Sequence, residues 1–188
     1  MEDLLNLATL VRSHYLEKLM LSWGEHQAAH SPSALEVLLE LSRECPRAFK
    51  LYRVDMASQA NSGAKLVEVN PDSHLSFKAT RIEVTATLAV ELHPFAWNAV
   101  DFRFDATPAL EQLEAWTLHW LDVDDLKSPD ADGLQGVIHS VTAPEQSGGF
   151  TTFSVDFGSA PVEALRDLLL MLSGTGARTV EICSLCLE

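Results

Sequence analysis

The sequence predicts an α+β protein: a pair of N-terminal helices, then a sheet rich in antiparallel strands, then a second half in β-α-β-β-α-β order. Three observations carry this. Before Pro46 apolar residues recur at spacings of three and four, the period of a helix buried along one side. After Pro46 the period falls to two, as in half-buried strands. From residue 98 onward strand-like and helix-like stretches alternate.

The first helix carries Leu4, Ala8, Val11, Tyr15 and Leu19 on one stripe, and Leu7, Leu10 and Met20 widen it. A second helix is expected over residues 33–44. Pro32 suits its first turn, Leu35, Leu38, Leu39 and Ser42 form its inner face, and Pro46 ends it. Residues 49–56 and 65–70 read as strands joined by a turn at Asn61-Ser62-Gly63, with a second turn at Pro71-Asp72-Ser73. The clearest strand follows at 80–92, where Ile82, Val84, Ala86, Leu88, Val90 and Leu92 alternate with mostly polar neighbours.

In the second half, residues 98–104 form a strand with Val100, Phe102 and Phe104 inward. Thr107-Pro108 opens a helix to Leu121. Strands are expected at 134–142 and 150–157, a helix from Pro161 stopped by Gly174 and Gly176, and a last strand at 178–183. This is ferredoxin-like order. It conflicts with the short link between strands 80–92 and 98–104, which favours their pairing on an edge that order gives to another strand. The chain reads as one compact domain, 1–188, divisible into a helical cap (1–46), a β meander (47–97) and the ferredoxin-like half (98–188).

The 188 residues are 47% apolar and carry a net charge of −14. That is enough apolar material to fold without staples. The charge repels nucleic-acid backbones and anionic membranes, so neither is an expected partner. It favours solubility and a basic protein partner. The N-terminal stretch lacks the pattern of a secretory signal, and no apolar run approaches the ~20 residues of a membrane span. Three cysteines, Cys45, Cys183 and Cys186, make no disulfide framework, so a cytoplasmic setting is expected.

Several constellations invite chemistry. Cys183 and Cys186 form a CxxC, but it follows a strand rather than opening a helix and has no second pair. His26 and His30 share a helix face if the first helix reaches them, yet no third ligand is indicated. No metal and no cofactor is therefore expected. Asp122, Asp124, Asp125, Asp130 and Asp132 crowd one loop without the EF-hand spacing; they are the candidate contact for a basic partner. Trp116, His119 and Trp120 lie on adjacent turns of the central helix and are the candidate lining of a ligand pocket, as is the outer face of strand 98–104. Asp101, Arg103 and Asp105 alternate on that face. Phosphate loops and the nucleophile elbow are absent from the sequence.

The sequence therefore supports a non-catalytic, acidic protein-binding module, in its most specific form an inhibitor or immunity-type partner of a basic protein. The alternative is a small-ligand-binding ferredoxin-like domain with a helical lid. An enzyme using Asp101 and His119 requires the two to share a cleft. The run Leu168–Leu172 is apolar nearly all round, so Leu170 and Met171 need cover, from the first helix in a monomer or from a second copy in a homodimer.

Overall fold

The computed structural model describes residues 1–60, 63–69 and 74–184. Among these, three α-helices and ten strands form a mixed α+β fold with two sheets. The turns expected at Asn61-Ser62 and Pro71-Asp72-Ser73, and Cys186 of the CxxC, lie outside the described residues.

Helix α1 (Glu2–Ala29) is about 42 Å long and buries the expected stripe of Leu4, Ala8, Val11, Tyr15 and Leu19. The second helix of the expected pair does not form. Residues Ser33–Glu40 are instead strand β1, antiparallel to β2 (Leu51–Ala60). The run Leu35–Leu39 is apolar at every position but one, so periodicity alone does not separate helix from strand; its short span between prolines and its pairing with β2 decide for strand. Leu35 faces Met56 and Val37 faces Val54, while Glu36 between them takes a left-handed φ of 52°. With β3 (Gly63–Val67) on the far side of β2, these strands form the small sheet.

The stretch 80–92 is a hairpin rather than one strand: β4 (Thr80–Glu83) and β5 (Ala89–Leu92) pair antiparallel. The Thr85 hydroxyl accepts the amides of Thr87 and Leu88 and closes the turn. Ile82 lies opposite Val90, both even-numbered, so the hairpin keeps the alternation that a single strand would show.

The large sheet continues through β6 (Val100–Phe104), β7 (Ser140–Val141), β8 (Glu145–Ser147), β9 (Phe150–Asp156) and β10 (Thr179–Cys183). Its order is β4-β5-β10-β6-β9-β7, with β8 also on β9. Strand β10 enters between β5, to which it is parallel, and β6, to which it is antiparallel. The competition of β5 for the edge of β6 is thereby resolved. Only Ser140–Val141 of the expected strand 134–142 is regular.

Helices α2 (Leu110–Leu121) and α3 (Val162–Ser173) cover one face of the large sheet, and α1 packs beside α3. Phe102, Phe104, Phe153, Val180 and Ile182 meet Leu113, Leu165, Leu168 and Leu172 in one continuous cluster that also takes in Leu4, Tyr15, Phe49 and Met56. Met171 packs against this core, while Leu170 stays 47% exposed.

Candidate functional site

The acidic loop begins where α2 ends. Asp122 takes φ 50° and turns its carboxylate back to accept the amides of Leu126 and Lys127 at 3.1 and 2.9 Å. Asp130 accepts the amides of Asp132 and Leu134 at 2.9 and 3.0 Å. Asp125 meets the guanidinium of Arg53 at 2.7 Å. That guanidinium, itself buried, also donates to the carbonyls of Leu121, Asp122 and Glu36 and to Gln135. Arg53 thus stitches the loop to the small sheet. The sequence brings the five aspartates together; the structure turns Asp122 inward and leaves Asp124 and Asp132 projecting into water.

Beside this loop lies an open groove of about 680 Å³. Met20 and Trp23 of α1 and Leu35 of β1 give it an apolar side, and Asp132 and Gln135 form the opposite wall. Trp23 escaped the sequence reading. Its signal was there: it continues the stripe of α1 four residues past Leu19, where the core covers it only in part.

A second concavity, about 380 Å³, lies on the uncovered face of the large sheet. Asp101 and Arg103 of β6, Ser154 of β9 and Glu181 of β10 line it, with Glu145 at its edge. Arg103 bonds Glu181 at 3.2 Å and lies over the Phe150 ring at 3.8 Å. Trp116 and Trp120, by contrast, are buried. Trp116 packs edge-on to Phe157 at 6.3 Å, Trp120 meets Lys127 at 4.6 Å, and His119 packs on Trp120 at 5.3 Å. They line neither concavity. Asp101 and His119 sit on opposite faces of the sheet, so they share no cleft and the acid–base pair is not assembled.

His26 and His30 do share α1's end, stacked at 4.7 Å, with the Lys65 ammonium 3.2 Å from His30 Nε2. A cation there opposes a metal ion, and among the described residues no group of three histidine, cysteine, aspartate or glutamate side chains is arranged to hold one.

The most unusual site is internal. His139, just before β7, is 1% exposed. Its Nε2 lies 2.9 Å from Glu36 Oε1, its Nδ1 3.1 Å from Asp55 Oδ1, and Asp156 Oδ2 stands 3.9 Å from Nδ1. Tyr15 of α1 donates to Asp55 at 2.7 Å, and the amides of Gln135 and Val69 donate to Glu36 and Asp55 at 2.6 Å. An ionised carboxylate only accepts, so a ring held between two of them donates from both nitrogens and is an imidazolium. Burial alone would discharge it, but Asp156, Asp55 and Glu36 outweigh burial and hold its pKa well above the ordinary value. Burial likewise pushes Glu36 and Asp55 up, but His139 and the amides bring both below the usual carboxylate range. Asp156 is pushed up to about 7, chiefly by burial and with help from Asp55, against the opposing charge of His139. Gly158, at φ 47°, sits against the imidazole; a Cβ there would overlap the ring.

No spacing in the sequence announces this cluster. Arg53 and Asp55 alternate with Val54 and Met56 as a solvent-facing edge would, yet both are buried, because α1, the acidic loop and the segment before β7 close over that side of β2. Compared with known proteins, the chain matches no family model, no curated protein and no solved structure.

Proposed function

We propose that the chain is a non-catalytic acidic protein-binding module, an inhibitor or immunity-type partner of a basic protein, and that the groove beside α1 receives a segment of that partner. The observation that carries this reading is the juxtaposition of a partly accessible apolar side, Met20, Trp23 and Leu35, with Asp132 across the groove, on a loop whose Asp124 also projects into water. Apolar centres with polar rims are the anatomy of interfaces, and tryptophan is enriched among their energetic anchors. Among the described residues no lysine or arginine lines the groove, and the chain as a whole carries −14, so a partner segment with an apolar side chain flanked by lysine or arginine fits best and is steered in by charge.

The test uses a synthetic peptide of alternating leucine and lysine, titrated into the full chain at low and high salt. Binding that weakens with salt is expected. Trp23→Ala is expected to cost about 2 kcal/mol, roughly thirtyfold, and the Asp124→Asn/Asp132→Asn pair to reduce the salt dependence. Equal affinity in all three proteins would remove the groove from the account.

A second reading is a small-ligand-binding domain that uses the cleft on the open sheet face. Its size, about 380 Å³, falls in the ~300–1,000 Å³ range of small-molecule sites. The order β10-β6-β9-β7 supports a ferredoxin-like reading of the second half. Helix α1 packs beside α3 on the covered face, so this reading dispenses with a helical lid. Among the described residues Asp101, Glu145 and Glu181 outnumber Arg103 in the cleft and favour a cationic ligand. A thermal-shift screen of amines and guanidines tests it, because a ligand of the native state raises Tm; no shift in the wild-type chain would set this reading aside.

A further inference from the structure

We propose that the His139 cluster is a proton-operated clasp: while the imidazole carries its charge it holds the Glu36 segment of β1, and through it the backbone at Gln135, against the core, and when it loses a proton that edge is released.

The geometry places the clasp at a junction. Glu36 comes from β1, Asp55 from β2, Asp156 from β9, and His139 from the segment entering β7. The backbone follows the same seam: the amide of Arg53 donates to the carbonyl of His139, and the amide of His139 to that of Asp156, at 2.7 and 2.8 Å. Glu36 is the link to the periphery. Its Oε1 accepts from the imidazole, its Oε2 from Gln135 N, and its carbonyl from Arg53.

Ionisable groups face the ring from several elements. Glu36, Asp55 and Asp156 are drawn close, Tyr15 faces Asp55 from α1, and Glu68 lies beyond β3. The buried Arg53 guanidinium bonds the Glu36 carbonyl at 2.8 Å, and Arg12 and Lys127 reach Glu36 only through longer-range attraction. The charges nearest the ring are thus carboxylates.

Removing one proton from the imidazolium leaves a lone pair facing a carboxylate, and one of the two contacts must open. Asp55 is tied down independently by Tyr15 and by Val69 N. The other carboxylate oxygen of Glu36 is held by Gln135 N, on the segment that would move with it, and Glu36 sits at a left-handed φ of 52° on a strand that among the described residues pairs on one side only, so the Glu36 contact is the one that gives way. Gln135 and Leu35 line the groove, so its shape follows the clasp. That consequence rests on the groove reading above; the clasp itself does not.

The experiment needs no partner. Imidazole ¹⁵N shifts of His139 in the full chain report its protonation across pH, and amide exchange reports release. The expected result is a doubly protonated ring at neutral pH. As it titrates, exchange accelerates at residues 35–40 and at Gln135, while Phe102 and Phe153 stay protected. Glu36→Gln keeps an acceptor but removes its charge, and is expected to shift both midpoints to lower pH. A neutral ring at pH 7, exchange that rises everywhere at once or nowhere, or midpoints unmoved in Glu36→Gln would each overturn the clasp. Should that variant fail to fold, the wild-type titration decides by itself. Failure of peptide binding would leave the clasp standing, and failure of the clasp would leave the groove.

Discussion

His139 and Glu36 stand 103 positions apart in the chain and meet at 2.9 Å in the interior. Their contact joins the small sheet to the large one. It also commits the fold to a buried charge, which is stabilising only while every partner is present.

Removing one partner should therefore cost far more than the contact contributes. Glu36→Ala is expected to destabilise the chain by about 3–5 kcal/mol, as expected when a buried charge loses its counterion. Urea unfolding followed by tryptophan fluorescence measures it; a loss under ~1 kcal/mol, typical of an exposed pair, would show that the charge is not buried as described.

Stability should peak on the acid side of neutrality. The folded pKa of His139 is raised, so its contribution is full below ~6.5 and is lost as pH climbs through the folded value. Glu36 and Asp55 are lowered, so their contribution is present above ~4 and is lost as pH falls through their folded values. Asp156, raised to about 7, stabilises below its unfolded value and loses that contribution as pH rises through 7. The three effects leave a maximum between roughly pH 4.5 and 6.5. A Tm profile that is flat, or highest above pH 8, would contradict this.

Gly158→Ala adds a single methyl group against the His139 ring at a backbone conformation that suits glycine. Overpacking of this kind typically costs about 1–3 kcal/mol. Thermal unfolding of the variant checks it, and an unchanged Tm would mean that the ring is free to move aside.

The acidic loop should divide into two kinds of aspartate. Asp122→Ala removes the acceptor of two backbone amides and is expected to cost about 1–3 kcal/mol. Asp124→Asn and Asp132→Asn, at exposed positions, should stay within about 0.5 kcal/mol. Urea midpoints of the three variants give the comparison.

How much of this was legible depends on which rule each residue obeyed. The stripe of α1 was fully legible, because Leu4, Ala8, Val11, Tyr15 and Leu19 sit at helical spacing and are buried. Strand β1 was not, since its apolar run fits either period and its decisive partner, β2, is distant information. The hairpin β4–β5 hid behind parity. The His139 cluster was illegible for a deeper reason: its members are ordinary polar residues at positions 15, 36, 55, 139 and 156, and only tertiary closure over β2 turns them inward. The aspartates of the loop were found, but their internal hydrogen bonding was not foreseeable from composition.

A basic partner is proposed to dock in the groove between α1 and the acidic loop. Amide and indole NMR shifts of the ¹⁵N-labelled chain, recorded as the leucine–lysine peptide is added at low salt, test it most directly. The account predicts that the Trp23 indole, Met20, Leu35 and residues 131–135 move together and that β6 and β10 do not. Shifts concentrated at Asp101, Arg103 and Glu181, with Trp23 unmoved, would contradict it.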